Sequence, residues 1–198
     1  LNDTDATAET RGTLPLSLKM VRTITAVGGD LLLDTYTGAT AAYSVRKLDK
    51  DYTGYAIKVR EDSGDTEADI GFDSNGDLDT AAIATHCGSA NGYVVTWYDQ
   101  SGNANNATQS TASSQPQIYN GAAVITENGK PAVYTSSAGM AASFTISSPF
   151  TFLSVMKTPT SGNRYILSWG GGLNPAVRNN AGNFNMYPGN HVIGSTVS

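Results

Sequence analysis

Between positions 93 and 106 the chain passes from alternating apolar residues into a dense polar turn, and that junction limits what it can fold into. Tyr93, Val95 and Trp97 share one face of an expected strand over residues 93–98. The residues that follow, Asp99-Gln100-Ser101-Gly102-Asn103-Ala104-Asn105-Asn106, cannot continue it. Gly102 and the asparagines tolerate positive φ, and Asp and Ser side chains bond nearby amides. Asp99, Ser101, Gly102 and Asn103 are therefore expected to form a structural loop. A strand delivered into so tight a turn belongs to an antiparallel sheet.

The rest of the chain agrees. Only 15% of residues are charged, 21 are glycine, and turn formers separate short apolar runs, which suits many short strands better than a helical bundle. Ten Tyr, five Phe and two Trp supply the bulk for a sheet interior. Residues 1–13 are polar and unpatterned, a flexible arm. One or two strands are expected within 14–27. A helix is expected over 37–48, capped by Thr37, with Ala41, Val45 and Leu48 on one face. Over 55–60, Tyr55, Ile57 and Val59 alternate with Lys58 and Arg60, a strand with one wet face. A short strand at 70–72 precedes the turn 73–77. The clearest helix spans 79–88: Asp79 caps it and Gly88 ends it. Further strands are expected at 117–119, 122–126, 132–134, 144–146, 150–157, 165–169, 183–187 and 191–193. The run 150–157 is apolar on both faces and reads as a central strand.

The expected fold is thus mainly β: an antiparallel β-sandwich of jelly-roll, concanavalin or laminin-G type, with one or two short helices. Residues 14–90 would form an α+β portion packed on a sandwich portion, 91–198. A jelly roll entered near Tyr93 needs roughly 150 residues to close, so either the sandwich continues beyond residue 198, the preferred expectation, or neighbouring copies complete its sheets.

Charge narrows the function. The net charge is −5, and all 17 carboxylates lie in residues 1–127. Residues 128–198 hold only Lys130, Lys157, Arg164 and Arg178 as charged groups. An acidic chain without a basic stripe argues against nucleic acid. No apolar run approaches the 18 or so residues of a membrane span. The first residues lack the basic and apolar regions of a signal peptide. A lone cysteine, Cys87, rules out an internal disulfide framework and is expected to be a buried small residue at a helix end.

An ordered series leads into the Asp99 loop: Ala42-Tyr43-Ser44-Val45-Arg46-Lys47-Leu48, then Tyr52-Thr53-Gly54-Tyr55-Ala56-Ile57-Lys58-Val59-Arg60, then Leu78-Asp79-Thr80-Ala81-Ala82. Over residues 30 to 160 this series resembles the first part of the catalytic domain of fungal-type α-L-arabinofuranosidases. It also looks like a module of phage tail and virion proteins and of bacterial surface proteins. The loop itself is similar to one in laminin-G and concanavalin-like jelly rolls. The arabinofuranosidase resemblance implies a nucleophilic Glu and an acid Asp on later strands, beside an adjacent Cys–Cys pair that contacts the sugar. The best correspondence sets Leu167-Ser168-Trp169 near that pair and Phe184-Asn185-Met186-Tyr187 near the Glu strand. Neither Cys nor Glu is present there. The second Cys that the family carries soon after the Cys87 position is missing as well.

The chemistry-bearing candidates are few. Glycoside cleavage needs two carboxylates about 5 to 9.5 Å apart, and nothing after Glu127 is acidic. Asp73, Asn75, Asp77 and Asp79 place oxygens at alternate positions, as calcium loops do, although the glycine sits two residues early for an EF-hand; the plainer reading is a turn that caps the next helix. Calcium is the one cofactor the pattern allows. His86 and His191 lack neighbours at zinc spacing. Trp169, Tyr187 and Tyr119 could stack against a sugar, against the plainer reading of core aromatics. The preferred reading is a non-catalytic structural or adhesion module of a phage particle, located in the virion or outside the cell. Its expected partners are copies of itself, other virion proteins and a host surface glycan. The alternative is a secreted carbohydrate-active protein related to α-L-arabinofuranosidase, either a glycoside hydrolase or a carbohydrate-binding module.

Overall fold

The computed structural model describes residues 30–135, 139–146 and 151–157, together with the backbone of four strands farther on. Contacts divide the chain into two units, 1–146 and 147–198. Among the described residues the architecture is mainly antiparallel β with two short α-helices and one 3-10 turn (Ala112–Ser114), the fold class expected.

The first unit is organised by strand β1 (Ile57–Glu61), which pairs antiparallel with β2 (Glu67–Ile70) on one edge and β3 (Asn91–Trp97) on the other. The far edge of β3 carries β4 (Ala107–Thr108) and β5 (Gln117–Asn120), completing a five-stranded sheet. A small hairpin, β6 (Thr126–Glu127) with β7 (Lys130–Pro131), follows. Helix α1 (Leu32–Thr35) is a single turn, and α2 (Thr80–Cys87) contacts β1, β2, β3 and β5.

Period-two patterning decides which face is buried. Ile57, Val59 and Glu61 of β1 point inward and are buried, while Lys58 and Arg60 are only half-buried on the other face. Ile70, Ile83, Cys87, Val94 and Ile118 join them to form the core beneath α2. The helix starts where Asp79 accepts a hydrogen bond from the Ala82 amide at 2.9 Å, and it stops at Gly88, whose φ of 58° a side chain would resist. Cys87 is buried at its last turn, and burial raises its thiol pKa.

Several expectations give way here. Residues 144–146 form no strand, and the runs expected at 122–126 and 132–134 reduce to the edge residue Thr126 and isolated bridges at Val124 and Tyr134. The helix over 37–48 does not form; beyond α1 this segment is irregular, because its backbone bonds to the Asp99 loop rather than to itself. In β3 the core residue is Val94 rather than Tyr93 or Val95. Val59 pairs with Val94 and Ile57 with Trp97, so three residues of β3 span what two span on β1. This bulge at Val95 returns Trp97 to the core side, where it packs on the cluster. Strands β1 and β3 lie either side of residue 90 and share a ladder. Finally, residues 151–157 form no strand. Leu153 and Val155 are exposed there, and no ladder among the described residues includes this run.

In the second unit, β8 (Asn163–Ser168), β9 (Ala176–Asn180), β10 (Asn183–Tyr187) and β11 (His191–Ser195) form an antiparallel meander in sequence order. β9 had no counterpart among the expected strands. The expected arm, 1–13, and the strands within 14–27 lie outside the described residues.

Close packing at Gly92 gives a test. A Cβ there would sit 2.7 Å from Cys87 Sγ and 3.1 Å from Val59 Cγ1. Gly92→Ala is expected to cost about 1–3 kcal/mol of stability by overpacking. Adding Cys87→Ala should recover part of that loss in a double-mutant cycle read by denaturant unfolding.

Candidate functional site

The loop between β3 and β4 is held by its own side chains to the strap formed by residues 38–48. Asp99 is buried, and its carboxylate accepts four hydrogen bonds. Oδ1 takes the Ala42 amide at 2.8 Å and the Ser101 amide at 2.9 Å. Oδ2 takes the Ser101 hydroxyl at 2.7 Å and the Asn105 amide at 3.0 Å. Gln100, only 1% exposed, uses both ends of its amide. Its Oε1 accepts from the Leu48 amide at 2.8 Å, and its Nε2 donates to the Ser44 and Arg46 carbonyls at 2.9 Å each. Asn103 and Asn105 donate to the Thr40 carbonyl at 3.2 and 2.8 Å. The Tyr43 hydroxyl donates to the Asn105 carbonyl. Its pKa is pushed up to about 12, first by burial and then by the Asp99 charge, so the phenol keeps the proton it donates.

Gly102 at φ 85° and Ala104 at φ 57° complete the turn. Beside it lies a polar recess of about 520 Å³, bordered by Thr40, Ser101, Asn103, Asn105 and Phe144. Asp99, Ser101, Gly102 and Asn103 all lie in this turn, the first two joined by the Ser101 amide and hydroxyl. Sequence reading assigned no role to Gln100, though a glutamine between two turn formers, with no apolar neighbour to cover it, was the available signal.

The remaining candidates scatter. Asp73 Oδ1 accepts from the Asn75 and Asp77 amides at 2.8 and 3.0 Å, Asp77 pairs with Arg46 at 2.8 Å, and Asp79 caps α2. These oxygens serve the turn and the helix. Among the described residues no group of three or more His, Cys, Asp or Glu side chains converges as a cation would require. Tyr119 is buried in the core, with its hydroxyl donating to the Gly88 carbonyl at 3.2 Å, so it offers no stacking face. Tyr187 lies on β10, and Trp169 is outside the described residues.

A second buried carboxylate, Glu61, closes the β1–β2 turn. It accepts from the Ser63, Gly64 and Thr66 amides and from the Ser63 and Thr66 hydroxyls, at 2.5 to 3.1 Å. Those donors, led by the Ser63 side chain and the Thr66 amide, hold its pKa well below the usual carboxylate range.

A β-sheet domain with a carboxylate-locked loop defines a structural class, and the comparisons specify it. The model of the alpha-L-arabinofuranosidase B catalytic domain matches residues 29–151, more than half the chain. The chain belongs to this family. A solved GH54 a-l-arabinofuranosidase, soaked with a cyclic sulfate inhibitor, is similar at 31% identity with a TM-score of 0.36. That similarity covers 39% of this chain and 17% of the solved one. A search of curated proteins gave no match. Membership in a catalytic-domain family corrects the non-catalytic reading of the sequence. It favours the carbohydrate-active alternative over the virion module, for which the comparisons give no support.

The buried Gln100 amide and the buried Glu61 carboxylate each yield a prediction. Gln100→Ala would strand one amide and two carbonyls of the strap, at about 1–3 kcal/mol for each group that water cannot reach; the unfolding midpoint should fall sharply. Glu61 has a folded pKa below its ordinary 4.5, so its contribution to stability is present above that pH and fades as pH falls through the lower folded value. Glu61→Gln should therefore flatten the acid limb of stability against pH, measured by denaturation from pH 7 to pH 2.

Proposed function

We propose that this chain is part of an enzyme that hydrolyses terminal α-L-arabinofuranosides, with residues 29–151 as scaffold of its catalytic domain. The observation that supports this reading is the family match over that span. The chain spans 17% of the solved arabinofuranosidase, so activity and substrate are inferred at the level of the family.

The geometry narrows which residues can take part. Glycoside cleavage takes an acid that holds a proton near neutral pH and a second carboxylate across the scissile bond. Glu61 is held ionised by its five donors, and the four hydrogen bonds accepted by Asp99 occupy both its oxygens. Neither can protonate a leaving group without dismantling its turn. Their work is to fix the sheet and loop that carry the domain, and the reacting pair is to be sought at other positions.

An aryl α-L-arabinofuranoside assay on the protein carrying this chain tests the reading. Turnover near or above about 1 s⁻¹ is expected, with aryl β-D-xylopyranoside left intact. An inert protein, or equal cleavage of both substrates, would overturn it.

A further inference from the structure

The sheet has a second face, away from the core, whose side chains have no part in the locks described above. Lys58 pairs in register with Asp69 on β2 and Thr96 on β3, so these three side chains share that face. Tyr55, just before β1, and Tyr98, just after β3, stand beside them with ring centroids 6.2 Å apart and planes tilted by 46°. Tyr55 is 50% exposed. The Tyr98 hydroxyl donates to Asp69 Oδ1 at 2.5 Å, and Lys58 Nζ lies 3.9 Å from the same oxygen. That arrangement fixes the Asp69 carboxylate and leaves its Oδ2 for a ligand hydroxyl.

We propose that this outer face, centred on Tyr55, Tyr98 and Asp69, is a non-catalytic binding surface for a neutral polysaccharide. Sugar rings present C–H groups on one side and hydroxyls around the edge. The exposed Tyr55 ring, with the half-buried Tyr98 ring beside it, matches the first, and a carboxylate beside a lysine matches the second. A protein partner would be met by a contiguous apolar centre, whereas here two rings sit among charges. The charges also select the occupant. Lys58 lies between Glu67 at 3.8 Å and Asp69, and Arg60 is paired with Asp65 at 2.5 Å. Two cations against three carboxylates offer nothing to an acidic polymer and leave a neutral one unopposed. No cleavage occurs here, because Asp69 is tied to Tyr98 and Lys58. That the neutral polymer bears arabinofuranosyl groups rests on the hydrolase reading above; that it is a neutral glycan does not.

Affinity electrophoresis of the protein in gels containing soluble arabinoxylan tests the surface, because it reads binding without turnover. The wild type should be retarded, with no retardation by polygalacturonate. Tyr55→Ala should weaken retardation by about 10-fold, as loss of a central aromatic contact does. Asp69→Asn should weaken it less, and Tyr36→Ala, also exposed, should leave it unchanged. Tyr55 lies at the surface, and matching unfolding midpoints for the variants would show that they fold. An unretarded wild type, a Tyr55→Ala variant that binds as wild type does, or equal retardation by polygalacturonate would overturn the proposal. Retardation without turnover of the aryl arabinofuranoside would sink the hydrolase reading alone; turnover without retardation would sink the surface alone.

Discussion

The first unit depends on how a polar loop is kept folded where it crosses an irregular strap. Residues 38–48 make neither a helix nor a sheet strand, so their amides and carbonyls need partners from elsewhere. Asp99 and Gln100 provide them from a single turn, the carboxylate accepting from Ala42 and the amide bridging Leu48, Ser44 and Arg46. Buried polar groups are tolerated only when satisfied, and here each satisfies the other. β3 ends at this lock and β4 starts from it, so the far edge of the sheet is placed by the same bonds.

A comparable device operates at the opposite end of β1. Glu61 is the last inward residue of the strand and would be costly to bury alone. The Ser63–Thr66 turn wraps its carboxylate with five donors and turns β1 back into β2. The two buried acids of this unit are therefore architectural. Their oxygens are taken up by amides and hydroxyls of their own turns and of the strap, whereas on the outer face Tyr55 and paired charges meet solvent.

Much of the sheet was legible because period two and turn chemistry are local signals. The helix ending at Gly88, the strand through Ile57 and Val59, and the Asp99 loop all follow from neighbours in sequence. The strand at 183–187 follows in the same way. The register of β3 was not legible. Its alternation pointed to Tyr93, Val95 and Trp97, whereas Val94 is the buried residue, and a single extra residue against β1 returns only Trp97 to the core side. The Ala41–Val45–Leu48 spacing suggested a helix, but Asp99 and Gln100, more than 50 residues away, claim its backbone. The site was less legible still, because Tyr55, Asp69 and Tyr98 come from three separate segments and carry no spacing.

By itself, then, the sequence determined the antiparallel class and the caps and turns, since each is written in neighbouring residues and their order. Tertiary structure alone decided which carboxylates are locked, which face of β3 is buried and which tyrosines remain in water. Those outcomes depend on pairing between distant segments, and hydrogen-bond donors and acceptors do not choose among partners until the sheet has brought them together.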